Sequence, residues 1–126
     1  MFEITIHRVF SAAHALRLYD GSIEPLHGHN WTVDLTVGSQ HLDKIEIVMD
    51  FHELERIVDA LIAQLDTSNL NDVEPFSNGR VNPTAERVAQ WIGQQVAKQL
   101  PQSVHVHQVE VGEAPGCRAG YRPPLD

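Results

Sequence analysis

The regular alternation of apolar and polar residues from Asn30 to Val37 constrains the fold more than any other feature of the sequence. Side chains of a β-strand point alternately to the two faces of a sheet, so this segment predicts a strand with one buried face. The side chains assigned to that face are Trp31, Val33, Leu35 and Val37. The segment Phe2–Phe10 alternates in the same way and predicts a second half-buried strand.

Two segments carry apolar side chains at the three- and four-residue spacing of helices with one buried stripe. The first follows Asp50, a favourable N-cap residue, and its stripe extends from Phe51 to Leu65. The second begins at Asn82-Pro83-Thr84, where proline at the first turn favours a helix start. It is predicted to span roughly residues 84–99.

Three further segments complete the predicted architecture. Lys44–Met49 is predicted to be a third strand, and Val104–Val111 a fourth with a bulge near Gln108, where the apolar phase changes. The tail Ala114–Asp126 is rich in glycine and proline and is expected to be irregular. The pattern indicates an α+β fold, an antiparallel four-stranded sheet with two helices on one face, as a single domain over residues 1–126.

Charge and composition limit the classes of partner. The formal net charge of −8 argues against a general nucleic-acid surface, because phosphate binding depends on Lys and Arg. No apolar run approaches the ~20 residues of a membrane span, and the N-terminus lacks the apolar stretch of a secretory signal. The single cysteine, Cys117, excludes an internal disulfide and a thiolate zinc knuckle. These features predict a cytoplasmic protein without nucleic-acid or membrane partners.

Three histidines are placed for a metal site. His27 and His29 project from one face at the start of a predicted strand, and a hairpin would bring His14 onto that face. Three neutral imidazoles leave zinc an open fourth position, which is typical of a catalytic rather than a structural site. The pair His105 and His107 has the same spacing but no evident third partner, so we interpret it as structural.

Several short motifs follow one another along nearly the whole chain. They are Phe10-Ser11-Ala12-Ala13-His14, Leu26-His27-Gly28-His29-Asn30, Asp50-Phe51, Leu65-Asp66, Leu70-Asn71, Asn82-Pro83-Thr84-Ala85-Glu86 with Trp91, and Val111-Gly112-Glu113 followed by Tyr121. This succession resembles the 6-pyruvoyltetrahydropterin and 6-carboxytetrahydropterin synthase family. The resemblance implies a T-fold, a small pterin substrate, and a homo-oligomer, a hexamer of two trimers with active sites at subunit interfaces.

The resemblance also implies roles for individual residues. The implied zinc ligands are His14, His27 and His29. Glu113 would anchor the pterin, because a carboxylate can accept hydrogen bonds from both the amino group and the ring N–H. Thr84 and Glu86 match positions near the pterin pocket. Capping and first-turn charge at the second helix explain these two residues equally well.

Two positions depart from the family pattern. The family's catalytic cysteine lies four residues before the first histidine of His-Gly-His, where this chain has Ile23. The family's Asp-His pair after the first helix is Asp66-Thr67 here, so Asp66 stays a candidate catalytic residue with an orienting role only. Glu24, three residues before His27, resembles a variant group that has glutamate in place of the cysteine. That group makes 6-hydroxymethyl-dihydropterin for folate synthesis.

Basicity separates the two reactions. A free carboxylate (pKa about 4.3) is a weaker base than a thiolate (about 8.5), so it is poorly suited to removing a carbon-bound proton. Zinc acidifies a hydroxyl, and retro-aldol cleavage can start from a hydroxyl proton. We therefore favour a zinc-dependent lyase that cleaves the side chain of 7,8-dihydroneopterin triphosphate, with Glu24 as the base.

Three alternatives stay open. The same fold can make 6-carboxy- or 6-pyruvoyl-tetrahydropterin, the former for a deazaguanine pathway such as that of queuosine. Cys117 is a further candidate for the missing thiolate, although a lone cysteine in such a tail is more often incidental. A binding module for zinc and pterin without catalysis is an alternative of another class, motivated by the inert side chains of Ile23 and Thr67.

Overall fold

A computed structural model describes residues 1–124 of the chain. Its elements are β1 (Phe2–His14), β2 (His27–Ser39), α1 (Phe51–Ile62), β3 (Ser68–Asn69), α2 (Ala85–Ala97), β4 (His105–Ala114) and β5 (Cys117–Tyr121). A short 3₁₀ turn, Leu70–Asp72, follows β3. Neither of the two α-helices in the described residues, 1–124, has the length and hydropathy that a bilayer-spanning helix needs.

The five strands form one sheet in the order β3-β1-β2-β4-β5. Strands β1 and β2 pair antiparallel over their full lengths, from Phe2 opposite Ser39 to His14 opposite His27. The pairs β2–β4 and β4–β5 are also antiparallel, and only the two-residue β3 runs parallel to β1. The predicted α+β class is confirmed, but the sheet has five strands where four were expected.

The alternating face of β2 forms the centre of the core. Its side chains are at most 1% exposed: Trp31, Val33, Leu35 and Val37. The buried stripes of α1 and α2 belong to the same hydrophobic cluster, as do the inward residues of β4. Full burial of one such side chain stabilises the fold by about 1.5–3 kcal/mol, so this face fixes the strand register.

Both helices begin at the predicted capping residues. The Asp50 carboxylate accepts a hydrogen bond from the backbone N–H of His52, and Thr84 Oγ1 accepts one from Arg87 N–H. Each cap satisfies a backbone donor that has no partner within the helix. The interpretation of Thr84 as the N-cap of α2 is therefore confirmed, and its role toward a ligand stays a prediction.

The predicted strand Lys44–Met49 is wrong. The Asp43 carboxylate accepts hydrogen bonds from the backbone N–H groups of Ile45 and Ile47, at 2.9 and 3.2 Å, and so folds the segment into a turn. Glu46 has a φ of 70°, which is incompatible with a strand. Ile45 is 67% exposed, so the alternation of apolar and polar residues in this segment does not mark a buried strand face.

The last part of the chain is more regular than expected. Cys117–Tyr121 forms β5 through a turn at Pro115-Gly116, where Gly116 has a φ of 81°. The predicted irregular tail is thus wrong over these residues, and Leu125 and Asp126 lie outside the described part. The bulge near Gln108 is confirmed, because the β2–β4 register shifts between Thr36 and Val37, opposite this point.

Arg8 joins β1 to α1 by ion pairs. Its guanidinium donates to Asp59 and Glu55, each at 2.7 Å. The hydrogen bond from Arg8, assisted by His52, holds the pKa of Glu55 below its usual value. A depressed folded-state pKa contributes stability above the pKa of the unfolded chain, and this contribution is lost as pH falls through the folded value.

We therefore expect Arg8→Met to be less stable than the wild type at neutral pH. The difference in stability should shrink as pH falls below about 4.5, the usual pKa of a glutamate. Urea midpoints measured between pH 7 and pH 3 check this. Arg56→Met is the control, because Arg56 is exposed and lies on α1, the helix that carries Glu55. A stability difference that stays constant over this pH range would contradict the assigned cause.

Candidate metal centre

The end of the β1–β2 hairpin brings three histidines together. His14 and His27 are direct partners in the register, and His29, opposite Ala12, lies two residues further along β2 on the same face. The three rings meet edge to face, with centroids 4.7, 5.2 and 4.8 Å apart. Strand β1 continues four residues beyond the predicted Phe10, and this continuation places His14 in the cluster.

Glu113, near the end of β4, completes a group of four side chains. Its Oε1 lies 3.0 Å from His14 Nε2 and 3.1 Å from His29 Nε2. One nitrogen or oxygen atom from each of the three histidines and Glu113 lies within 4.8 Å of the others. This group can hold a metal ion.

Two of the three histidines are oriented by backbone carbonyls. His14 Nδ1 donates to the carbonyl of Pro83 at 2.8 Å, and His27 Nδ1 donates to that of Pro25 at 2.9 Å. In a neutral imidazole the other nitrogen, Nε2, is then a free acceptor. A ligating histidine commonly has its second nitrogen held in this way, which fixes its tautomer and its direction.

The cluster fits a metal by a further criterion. His14 is fully buried, and among residues 1–124 neither His14 Nε2 nor His29 Nε2 has a hydrogen-bond partner. An unsatisfied buried polar atom costs about 1–3 kcal/mol. A bound cation would satisfy both nitrogens at once.

Trp31 forms an apolar floor beneath the cluster. Its ring packs edge to face against His14 and His29, with centroids 4.9 and 5.7 Å apart. The indole Nε1–H donates to the carbonyl of Ala12 at 3.0 Å, so this buried polar group is satisfied. An apolar wall of this kind lowers the local dielectric and strengthens the attraction between a cation and its ligands.

Two asparagines hold the chain where it leaves His14. Asn71 accepts from the N–H of Ala15 at 2.9 Å and donates to its carbonyl at 2.8 Å. Asn82 makes the same pair of bonds with Arg17, at 2.9 and 3.0 Å. Each side-chain amide thus satisfies the backbone N–H and C=O of one residue, as a neighbouring strand would otherwise do. Sequence reasoning gave neither residue a role, although both lie in the motifs of the resemblance.

Asn82→Ala is expected to lower the free energy of unfolding by about 1–2 kcal/mol, because two backbone groups of Arg17 lose their partner. Because Pro83 orients His14, metal affinity should also fall, about tenfold. Chemical denaturation and chelator competition measure the two effects. Asn78→Ala is the control, since Asn78 is exposed and accepts a single bond within its own turn. Equal effects of both variants would contradict this role.

Glu24 lies beside the cluster, behind His27. Its Oε1 accepts a hydrogen bond from the backbone N–H of Leu16 at 3.1 Å and lies 3.9 Å from His27 Nδ1. Ile23, at the position of the family's cysteine, is 65% exposed and contributes no polar atom. The structure thus places the candidate base near the metal centre but on the side of His27 that faces away from Nε2.

The other predicted site residues lie outside the group of four. Asp66 is exposed and accepts a hydrogen bond from the backbone N–H of Ser11 at 2.9 Å. Thr84 caps α2, and Glu86 is exposed in its first turn. The role of Glu113 as pterin anchor stays a prediction, and the spacing of the histidines gave no signal that its carboxylate would lie among their nitrogens.

A cleft of about 520 Å³ opens beside His29. It is bordered by the end of β1, the start of β2 and the short β3, and its described polar lining consists of one histidine with amides and hydroxyls. The polar residues are Ser11, His29, Asn30, Thr67, Ser68 and Asn69. Amides and hydroxyls of this kind can donate to and accept from a neutral heteroaromatic ring.

Comparison with known proteins agrees with this arrangement. A family model described as 6-pyruvoyl tetrahydropterin synthase matches residues 3–124. The chain belongs to this family. Its members are pterin-processing enzymes by name, and the enzyme class predicted from the motifs is confirmed at that level.

Relatives within the 6-pyruvoyl tetrahydropterin synthase family carry different reaction names. A dihydroneopterin monophosphate aldolase of Pyrococcus furiosus is 35% identical over 104 residues, 82% of each chain. A 6-carboxy-5,6,7,8-tetrahydropterin synthase of Bacillus subtilis is also 35% identical, over 97% of this chain and 86% of its own. Membership of the family therefore leaves the reaction open.

Solved structures of the family share the fold. The 6-pyruvoyl tetrahydropterin synthase of Caenorhabditis elegans superposes with a TM-score of 0.80 at 24% identity, covering 98% of both chains. A Plasmodium vivax 6-pyruvoyltetrahydropterin synthase, in a variant whose catalytic glutamate is replaced by alanine, gives 0.77 at 21% identity over the same shares. The predicted T-fold is confirmed.

Proposed function

We propose that the protein is a zinc-dependent pterin lyase that cleaves the side chain of 7,8-dihydroneopterin triphosphate to 6-hydroxymethyl-7,8-dihydropterin. The observation that supports this most is the group of three histidines and Glu113 that could hold a metal ion, with the Glu24 carboxylate beside it; among residues 1–124 no thiol belongs to this group. The single cysteine, Cys117, is exposed on β5. A site with only carboxylate bases suits a reaction that begins at a hydroxyl.

Zinc is the metal that this donor set favours. Three imidazole nitrogens and one oxygen donor match the ligands of four-coordinate zinc. The holders are His14, His27 and His29, with Glu113 beside them. Bound there, zinc would polarise the oxygens of a substrate side chain and acidify a hydroxyl.

The proposed reaction is a retro-aldol cleavage. Glu24 removes the proton from the hydroxyl on the second side-chain carbon. As that carbon becomes a carbonyl, its bond to the first carbon breaks, and the electron pair passes into the ring C=N bond. A proton returned to the first carbon gives the hydroxymethyl group, and the phosphorylated two-carbon aldehyde leaves. Glutamate has a precedent in this fold, because the Plasmodium vivax protein has a catalytic glutamate.

The number of phosphates on the substrate is part of the proposal to test. The Pyrococcus furiosus relative is named as a dihydroneopterin monophosphate aldolase, and an aldolase name agrees with the side-chain cleavage proposed here. Both phosphorylated forms of dihydroneopterin therefore belong in the assay.

A second candidate function is 6-carboxytetrahydropterin synthesis, favoured by the 35% identity to the Bacillus subtilis enzyme. That product carries a carboxylate on the ring where the hydroxymethyl product carries an alcohol, so product analysis separates the two. A binding module without catalysis would leave the substrate unchanged.

The deciding experiment incubates zinc-loaded protein with dihydroneopterin triphosphate and, separately, with the monophosphate. Chromatography of the pterins and mass spectrometry of the aldehyde fragment identify the products. We expect 6-hydroxymethyl-dihydropterin with a phosphorylated two-carbon aldehyde in equal amounts. A carboxylated pterin would establish the second candidate, a pyruvoyl pterin would refute both candidates, and unchanged substrate in both arms would refute the enzyme.

We further propose a cytoplasmic homohexamer of two trimers with the sites at subunit interfaces. Light scattering of the purified protein tests the mass. A monomer at micromolar concentration would refute the assembly.

A further inference from the structure

The position of Glu113 is unusual for a residue that binds only a substrate. Its Oε1 lies 3.0 Å from His14 Nε2 and 3.1 Å from His29 Nε2, so it touches two atoms of the metal-binding group directly. The side chain is 31% exposed, whereas His14 is fully buried. The carboxylate is therefore partly open to solvent, although it contacts a fully buried histidine.

These contacts are not ordinary hydrogen bonds. Because His14 Nδ1 donates to the carbonyl of Pro83, the neutral ring has no proton on Nε2. Within residues 1–124, neither His14 Nε2 nor His29 Nε2 has a partner of hydrogen-bond geometry, in spite of the short distances. The unprotonated Nε2 of His14 and the carboxylate oxygen of Glu113 repel one another unless a cation lies between them.

The distances match those between ligands of one metal ion. Zinc binds nitrogen and oxygen at about 2.0–2.2 Å in a tetrahedral arrangement, so neighbouring ligand atoms lie roughly 3.3 Å apart. The contacts of Glu113, at 3.0 and 3.1 Å, are close to this separation. The carboxylate oxygen thus lies where a fourth ligand belongs.

We propose that Glu113 is the fourth metal ligand of the substrate-free protein, and that it must leave the metal before a substrate hydroxyl can use that position. The resting site is thereby closed to water and small anions. The inference rests on the metal of the proposed function and is independent of which pterin product is made.

This role differs from anchoring the pterin. The amino group and ring N–H of a pterin lie on one edge of the fused rings, and the side chain lies at the opposite end. When the side chain reaches the metal, a carboxylate at the metal meets the side-chain end of the substrate. Glu113 of the same chain therefore cannot hold the far edge while it lies 3.0 Å from His14 Nε2.

The test uses the metal-free protein loaded with Co²⁺, whose visible absorption reports its ligands, and azide as a small competing anion. In the wild type, azide has to displace Glu113. In Glu113→Ala it displaces only water, so we expect azide to bind at least tenfold more tightly. Chelator competition should show zinc and cobalt affinity lowered about 10–100-fold in the variant. Glu113→Gln preserves the shape and should behave as the alanine variant does toward azide.

Glu110→Ala is the matched control, because Glu110 lies on the same strand but pairs with Arg118, at 3.4 Å. It should have the metal affinity, cobalt spectrum and azide affinity of the wild type. If Glu113→Ala and Glu113→Gln, folded by circular dichroism, also leave all three unchanged, the proposal is overturned. Product analysis of the wild type is a separate measurement, so failure of the lyase function and failure of this ligand assignment are distinguishable.

Discussion

Replacing His27 with alanine is expected to remove stoichiometric zinc and to abolish turnover. A structural zinc site of four ligands has an apparent binding free energy of about 10–16 kcal/mol, or about 2.5–4 kcal/mol for each ligand, so affinity should fall by roughly 70- to 900-fold. His27 is the most informative of the three histidines, because its side chain is 40% exposed whereas that of His14 is fully buried. The variant should therefore fold, as the circular dichroism spectrum will show.

Metal content by atomic absorption after dialysis and product formation at saturating zinc are the two measurements. His107→Ala is the matched control: its side chain is 42% exposed, and its Nδ1 lies 3.3 Å from Glu3, away from the metal-binding group. The control should retain one zinc per chain and full activity. Stoichiometric zinc in His27→Ala would refute the site.

Glu24→Gln is expected to lower kcat about 10²–10⁴-fold, the usual contribution of a general base, with zinc content unchanged. Glutamine keeps an oxygen that can accept the hydrogen bond from the backbone N–H of Leu16, so the loop should hold its conformation. The loss should therefore report proton transfer rather than misfolding. Turnover of dihydroneopterin phosphates under substrate saturation, with zinc measured in the same samples, gives both quantities.

Cys117→Ala is the companion variant. Cys117 is exposed on β5, and its removal should leave kcat within experimental error of the wild type. If turnover instead survives Glu24→Gln and disappears in Cys117→Ala, the assignment of the base to Glu24 is wrong. The pair of variants thus separates a carboxylate base from a thiolate base in the same assay.

The parts of the fold that were predicted correctly are those in which local pattern and burial agree. The apolar face of β2 is predicted by a period of two, and both helices are predicted by their stripes and by the caps at Asp50 and Thr84. The bulge in β4 followed from the phase change near Gln108. In each case the feature that directs folding lies within the segment itself.

Two of the departures from the predicted fold have a common physical cause. In Lys44–Met49 the side chain of Asp43 pairs with backbone donors and favours a turn over a strand. In β5 a segment of weak strand propensity pairs because β4 offers it an open edge after the turn at Gly116. A group outside each segment, the Asp43 carboxylate or the edge of β4, decided its structure. The strand propensity of the segment itself does not report such a group.

The sequence by itself determined the chemistry available to this protein. It contains three histidines spaced so that strands can bring them onto one face. It has Ile23 where the family has a cysteine, and Glu24 three residues before His27. These are properties of residue type and short spacing. They are sufficient to indicate a metal site without a thiol.

Only the tertiary structure decided how that site is built. The contact of Glu113 with His14 joins positions 99 residues apart, and the carbonyl of Pro83 reaches His14 across 69 residues. Both depend on the register of β1, β2 and β4 and on where α2 begins. Register is fixed by the burial of whole strand faces, which is a collective property of the core, so no short motif specifies it.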